Sequence, residues 1–243
     1  MSRTLSPTDV ARRVAQDIPD GSYVNLGIGL PTLVADVVGP DKEIVYHSEN
    51  GILGMGPAPA PGHEDPELIN AGKQLVTLLP GGSIFHHTDA FVMMRGGHLD
   101  ISVLGAFQVS AEGDLANWAT DDAAMPPAVG GAMDLAVGAR RVLVMTAHTT
   151  RDGRPKILPR CTYPLTAAGV VDRIFTDLAV LDVTPDGLLV REVVRGLGRD
   201  ELRSVTGAEL RFADDVVDLH PTDPDLSEPV DRPVLPTPAP WRQ

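Results

Sequence analysis

Glu49 is the residue whose setting points most directly to chemistry. Residues 47–54 read His-Ser-Glu-Asn-Gly-Ile-Leu-Gly. The β-forming run Ile44-Val45-Tyr46 precedes this octet, and Gly51, Gly54, Gly56 and Pro57 then force a turn. A carboxylate at a strand end, with its flanks stripped of bulk, is presented on a rigid stalk. It can serve as nucleophile, base, acid or metal ligand, while the plain alternative is a solvated loop glutamate. Asn25 ends the β-forming run Tyr23–Leu26 and lies 24 positions before Glu49; Lys73 lies 24 positions after it. If the two strands are adjacent and parallel, Asn25 and Glu49 reach one rim. Asn25 can then donate to an oxyanion or merely satisfy the turn into Gly27. A cation at Lys73 would keep Glu49 ionised or hold a substrate's negative charge; otherwise it is solvated surface.

Other candidates are weaker. Asn50 and Gly51 adjoin Glu49 and are candidate substrate contacts. Gly130 and Gly131 open a helical stretch, so their backbone amides suit an anion, or the glycines serve close packing. His86-His87 is the one short histidine pair, and neighbouring residues point to different sides, which makes a poor chelate. No metal site is expected.

The elements that must position these groups alternate in type. Ser6-Pro7 opens a helix over 7–18, and Pro31 sits near the start of a second. Strands are expected at 23–26, 44–48, 75–79, 99–104, 142–145, 179–183 and 188–190. Helices are expected at 87–94, 132–138 and 196–205, and the proline-rich stretch 56–66 reads as an extended loop. This order predicts an α/β fold, an open and mostly parallel sheet flanked by helices. The domain should span residues 1–212. Residues 213–243 carry seven acids, two arginines and seven prolines, an acidic tail expected to be extended or partly disordered.

The bulk properties exclude several classes. A net charge of −13 over 243 residues argues against a sequence-independent nucleic-acid binder. One cysteine, Cys161, excludes an internal disulfide framework and fits a reducing compartment. No apolar run approaches a membrane span, and the first residues lack a signal-peptide core, so the cytoplasm is the expected location. Arg140, Arg141, Arg151, Arg154, Lys156 and Arg160 form the one basic concentration, fit for anions, a subunit contact or plain surface.

The ordered motifs carry a resemblance. They are the Glu49 octet with Met55-Gly-Pro57, Asn25-Leu-Gly-Ile-Gly-Leu-Pro31, Asp65-Pro-Glu-Leu-Ile-Asn-Ala-Gly-Lys-Gln74, Arg95-Gly-Gly-His98, Gly113-Asp-Leu-Ala-Asn-Trp118, Gly130-Gly-Ala-Met-Asp-Leu135 and His148-Thr. Together they resemble, in order, the β subunit of 3-oxoacid coenzyme A transferases over roughly residues 5–215. The resemblance implies the coenzyme A transferase fold and transfer of CoA from an acyl-CoA such as succinyl-CoA to a 3-oxo acid. It implies ping-pong chemistry through a glutamyl-CoA thioester on Glu49, with Asn25 supporting the oxyanion and Lys73 in the active site. It also implies an α-subunit partner carrying a Gly-Gly-Phe-Gly-type loop, which this sequence lacks. Coenzyme A would be a transiently covalent substrate, with no tightly bound cofactor. Acyl-CoA hydrolysis on the same fold is the alternative. The segment 119–129 and His86-His87-Thr88 depart from the family pattern and leave the acceptor acid open.

Overall fold

The computed structural model describes residues 4–39, 42–122 and 126–220. Helix α1, Pro7–Gln16, starts at an N-cap where the Ser6 hydroxyl accepts from the Asp9 amide at 3.2 Å and the Asp9 carboxylate accepts in return from the Ser6 amide. Strands β1 (Tyr23–Leu26), β2 (Val45–Ser48), β3 (Ile52–Met55) and β4 (Leu78–Ile84) follow. Next come α2 (His87–Arg95), β5 (Ile101–Leu104), β6 (Gln108–Ser110), β7 (Leu115–Ala116) and α3 (Ala132–Gly138). The chain continues through β8 (Arg141–Met145), β9 (Ile157–Leu158), β10 (Val171–Phe175), β11 (Ala179–Thr184) and β12 (Gly187–Val194). It closes with α4 (Arg199–Ser204) and β13 (Leu210–Leu219).

Ten strands make one sheet in the order β13-β12-β11-β10-β8-β5-β1-β2-β3-β4. Its centre, β10-β8-β5-β1-β2, is parallel throughout. Parallel strands covered on both faces read as continuous apolar runs, and every residue of β5 and β8 is buried. Alternate residues feed two cores. Leu143 and Met145 join α1 on one face; Val142 and Val144 join α2, α3, α4 and the small sheet β7-β6-β9 on the other.

The periphery departs from the expected pattern. β2-β3-β4 and β10-β11-β12 are antiparallel, although β12 and β13 pair in parallel. β3 lies in the glycine-rich stretch expected to be turn, and β4 begins three residues later than expected, running through Pro80-Gly81-Gly82. An edge strand tolerates such residues, and here they are needed. A Cβ on Gly54, at φ 76°, would lie 2.9 Å from the Gly82 Cα, so the two strands meet backbone to backbone. The helix expected after Pro31 is a short 3-10 turn, Leu30–Val34. The boundary expected at 212/213 falls inside β13, which carries the folded domain to Leu219; residues 221–243 of the acidic tail lie outside the described residues.

Buried charges fasten α1 to the sheet. Arg13 reaches both Glu192 oxygens, the shortest contact being 2.6 Å, and Asp17 at 2.6 Å. Arg173 bonds Asp17 and, at 2.5 Å, Asp182, which also accepts from Arg191 at 2.7 Å. Burial alone would depress the Arg13 pKa, but bonding to Glu192 and the charge of Asp17 overcome it. Removing one member of such a network leaves uncompensated buried charge, at roughly 3–5 kcal/mol. Arg173→Met is therefore expected to lower stability by about that amount, read as a lower urea midpoint with an unchanged m-value. A midpoint equal to wild type would refute the network's role.

Candidate active site

β1 and β2 are adjacent and parallel, with Asn25 in register with His47. Two residues beyond His47 the chain turns. The Gly51 amide donates to the Ser48 carbonyl at 3.0 Å, which puts the half-buried Glu49 at the first corner of a β-turn joining β2 to β3. Gly51 has φ 108°, and a Cβ there would sit 2.0 Å from the Phe85 carbonyl oxygen, so glycine is obligatory. Asn50 donates to the Ile69 carbonyl at 2.7 Å, and the Ser48 hydroxyl accepts from the Ala71 amide at 3.1 Å. Asn50 and Gly51 thus shape the turn and fasten the 69–75 loop to it. Both Gly51 backbone groups and one Asn50 amide donor are bonded within the protein.

The Glu49 carboxylate packs against the start of α3. A Cβ on Gly131 would fall 2.1 Å from Oε2, and one on Gly130 would fall 3.8 Å from Oε1. Burial raises the Glu49 pKa; the Gly131 backbone amide, donating to the carboxylate, opposes that rise, and the charge of Asp134 adds to it. Asp134 is itself held by Arg95 Nε at 2.6 Å, and Arg95 lies over the Phe91 ring. The result is a half-desolvated carboxylate whose charge is met by one backbone donor. The expected cation is elsewhere: Lys73 sits exposed at the tip of the 69–75 loop, at φ 63°, outside the wall of the site cavity. Asn70, Ala71 and Gly72, just before it, do line that cavity.

Asn25 is buried in the same wall. Its amide nitrogen donates to the His47 carbonyl at 3.0 Å and lies 3.0 Å from His47 Nδ1, which leaves the ring proton on Nε2. Burial lowers the His47 pKa to about 4, the Ala90 backbone offsets only part of this, and the buried Nε2 makes no hydrogen bond to the described residues. His47 is thus a neutral buttress. His86 caps α2 by accepting from the Thr88 amide, and among the described residues no cluster of three or more histidine, cysteine or acidic side chains could hold a metal ion.

The cavity measures about 820 Å³ and follows the carboxyl ends of β2, β1, β5 and β8. Glu49, Asn25, Gly130 and Gly131 form one end of its wall; Thr146, Arg151, Lys156 and Tyr163 form another part. Thr120, Ala128 and Val129 also face it, so the divergent 119–129 segment borders the site, its residues 123–125 lying outside the described residues. The basic concentration divides. Arg140 pairs with Asp100 at 2.9 Å and Arg154 with Asp152 at 2.7 Å, whereas Arg151 and Lys156 line the cavity. Of the cavity-lining residues, sequence reasoning did not single out Thr146 and named Lys156 only within the basic concentration. The available signal was position: Thr146 is the first residue past a parallel strand, where open α/β sheets place their ligand crevice.

The coenzyme A transferase family model matches residues 8–200. The chain belongs to the coenzyme A transferase family. It is 63% identical over 210 residues to the β subunit of the 3-oxoadipate CoA-transferase of Pseudomonas putida, covering 86% of this chain and 98% of that protein. It is 44% identical over 200 residues to the β subunit of the succinyl-CoA:3-ketoacid coenzyme A transferase of Helicobacter pylori, covering 82% and 96%. Among solved structures, glutaconate coenzyme A-transferase of Acidaminococcus fermentans superposes with a TM-score of 0.66 at 18% identity, covering 90% of this chain and 91% of that one. The decarboxylase AibA/AibB superposes at 0.64 and 21% identity, covering 90% of each chain, so this architecture is shared beyond the transferases. As a coenzyme A transferase β subunit, the chain places its site where the fold gathers parallel strand ends.

Two outcomes test this arrangement. In Gly131→Ala the new methyl displaces the Glu49 carboxylate, and CoA transfer by the co-purified enzyme should fall by about 10²-fold with circular dichroism unchanged. Wild-type transfer would show that the contact is dispensable. The second concerns His148, buried with its ring nitrogens 3.0 Å from Thr176 Oγ1 and 2.8 Å from Thr206 Oγ1, its pKa lowered to about 4 by burial against the pull of Asp177. An unfolded histidine titrates near ~6.5, so between these values the unfolded chain binds protons that the fold refuses. Stability therefore falls as pH drops from about 6.5 towards 4. His148→Gln should flatten that part of the urea-midpoint profile; equal slopes would contradict it.

Proposed function

We propose that this chain supplies the nucleophile of a heteromeric coenzyme A transferase. Glu49 moves CoA from a dicarboxylic acyl-CoA, succinyl-CoA, to a 3-oxo acid. The observation that carries the reading is the half-buried Glu49 carboxylate on Gly131, in a cavity wall and with no neutralising cation among the described residues. Such a carboxylate is poorly solvated and keeps its nucleophilicity for a bound electrophile. Glu49 attacks the thioester carbonyl and expels the CoA thiolate, giving a mixed acyl–glutamyl anhydride. The retained thiolate attacks the glutamyl carbonyl, forming the glutamyl-CoA thioester and releasing the first acid. A second acid reverses the steps and departs as the new acyl-CoA.

The supporting roles follow from position. When thiolate attacks the glutamyl carbonyl, the oxyanion develops on an oxygen that Gly131 already addresses, so a donor to the resting carboxylate becomes a donor to the intermediate. Gly130 extends that niche. Asn25 supports the oxyanion on the acyl carbon, for which its amide must release one of its two contacts with His47. Lys73, at the loop tip beside the cavity, meets the charge of the coenzyme or the acid rather than that of Glu49. The acceptor we favour is 3-oxoadipate, the acid for which the 63%-identical relative is named. An α subunit completes the site and excludes water from the anhydride and thioester. No resident cofactor takes part, and the reaction runs in the cytoplasm.

The test is covalent. Incubation of the assembled enzyme with succinyl-CoA, then borohydride reduction and peptide mass spectrometry, should find the modification on Glu49. Glu49→Gln should reduce transfer by more than about 10³-fold. An unmodified Glu49 peptide alongside full turnover would overturn the nucleophile, and free acid formed without an acceptor would reassign the enzyme to hydrolysis.

A further inference from the structure

Lys156 stands out because its charge is half-buried without a carboxylate in contact. Its backbone is pinned on both sides: its amide donates to the His148 carbonyl at 3.2 Å, and its carbonyl accepts from the Val109 amide at 2.9 Å. Its Nζ donates to the Thr146 hydroxyl, which donates onward to the Ala106 carbonyl at 3.1 Å. Thr146, Ala106 and Lys156 all line the cavity that contains Glu49. Among the described residues no acidic side chain lies within 4 Å of Nζ. Burial brings the Lys156 pKa down to about 8, and the more distant Asp177, which accepts from the His148 amide at 2.7 Å, restores only part of the loss. A desolvated ammonium in that state gains from an anion that enters the cavity.

The sheet sets the distance to Glu49. Thr146 follows β8, and the order β8-β5-β1-β2 puts three interstrand steps between it and the Glu49 turn. At about 4.8 Å per step the backbones stand about 14 Å apart. Neither charge figures in the other's electrostatic balance, in keeping with that gap. Glu49 stands on the β2 side of that gap and the Lys156 ammonium on the β8 side, so a ligand that meets both has a reacting carbonyl at one end and an anionic group at the other. A single half-buried ammonium matches a single carboxylate. A polyphosphate keeps its hydration and suits exposed cations such as Arg151 at the cavity wall.

We infer that Lys156, held by Thr146, binds the distal carboxylate of a dicarboxylic acyl group and so determines which acids exchange CoA on Glu49. The inference rests on the Glu49 reading proposed above. In ping-pong exchange donor and acceptor acids occupy one site in turn, so one lysine serves both when each carries a second carboxylate.

The experiment compares succinyl-CoA with butyryl-CoA, which replaces the distal carboxylate by a methyl group at equal chain length, using the complex of this chain with its α subunit. Wild type should favour succinyl-CoA in kcat/KM. Lys156→Met should lose at least roughly 30-fold on succinyl-CoA, as for truncation of one partner of a buried charged pair, and hold butyryl-CoA within about threefold. Retained butyryl transfer also shows that the variant is folded. Equal losses on both substrates would overturn the inference, since Lys156 would then serve CoA or the fold, and so would no loss on either. The two readings fail separately: no Glu49 adduct in wild type sinks the nucleophile, whereas an adduct with unchanged selectivity in Lys156→Met sinks only the lysine.

Discussion

The fit of the Glu49 carboxylate against Gly131 is the constraint around which the site is arranged. A methyl group at Gly131 would sit 2.1 Å from a carboxylate oxygen, so turn and helix are closed to within the size of one side-chain atom. Holding a charge in that niche costs desolvation, and one backbone donor returns part of the cost. The surrounding framework makes the arrangement persistent. β2 pairs with β1 through the register that opposes Asn25 to His47, and the β2-β3 turn is locked by Gly51 on Phe85. On the other side α3 is tied to α2 by the Arg95–Asp134 pair, with Phe91 between Arg95 and Gly131. Each contact is modest, but together they prevent the carboxylate from relaxing into water.

Most of the centre of the fold was legible because parallel strands covered on both faces read as apolar runs; β10 was missed, since Asp172 and Arg173 interrupt its run. Tyr23–Leu26, Val45–Ser48 and Arg141–Met145 lie where their composition places them. Helix α3 opens after Gly131 as its glycines imply. The margins were not legible for a related reason. β3 and β4 carry glycine and proline because their backbones touch, and local pattern cannot distinguish glycine needed for contact from glycine needed for a turn. β13 was hidden by acids that an exposed strand carries without penalty, since only some of its residues are buried.

The site divides along the same line. Glu49, Asn25 and Gly131 were readable because each sits where an element starts or stops, and such positions have sequence signals. Lys73 shared that signal, a lysine between a glycine and a glutamine, yet the glycine-like backbone at Lys73 turns its loop tip outward. Asn50 has a structural bond that the sequence did not announce, its amide donating to the Ile69 carbonyl. Lys156 was visible only as one member of the basic concentration, with nothing to set it apart from Arg140 or Arg154. It is a site residue only because β6 and the segment after β8 hold its backbone while Thr146 holds its charge, a convergence of parts distant in sequence.

This division bears on what the fold itself can specify. The same architecture superposes on a decarboxylase, so strand order and cavity position do not select a reaction. On the proposed reading, the reaction is selected by the charged groups along the carboxyl edge of the sheet. Here the edge has a carboxylate at the end of β2 and an ammonium beyond the end of β8, three strands apart and each short of a countercharge. Direct pairing would quench both, and the two intervening strands prevent it. On the reading proposed above, a molecule with an electrophilic carbonyl at one end and a carboxylate at the other presents the first to Glu49 and the second to Lys156. The separation enforced by β1 and β5 is therefore as much a part of the site as the residues at its ends.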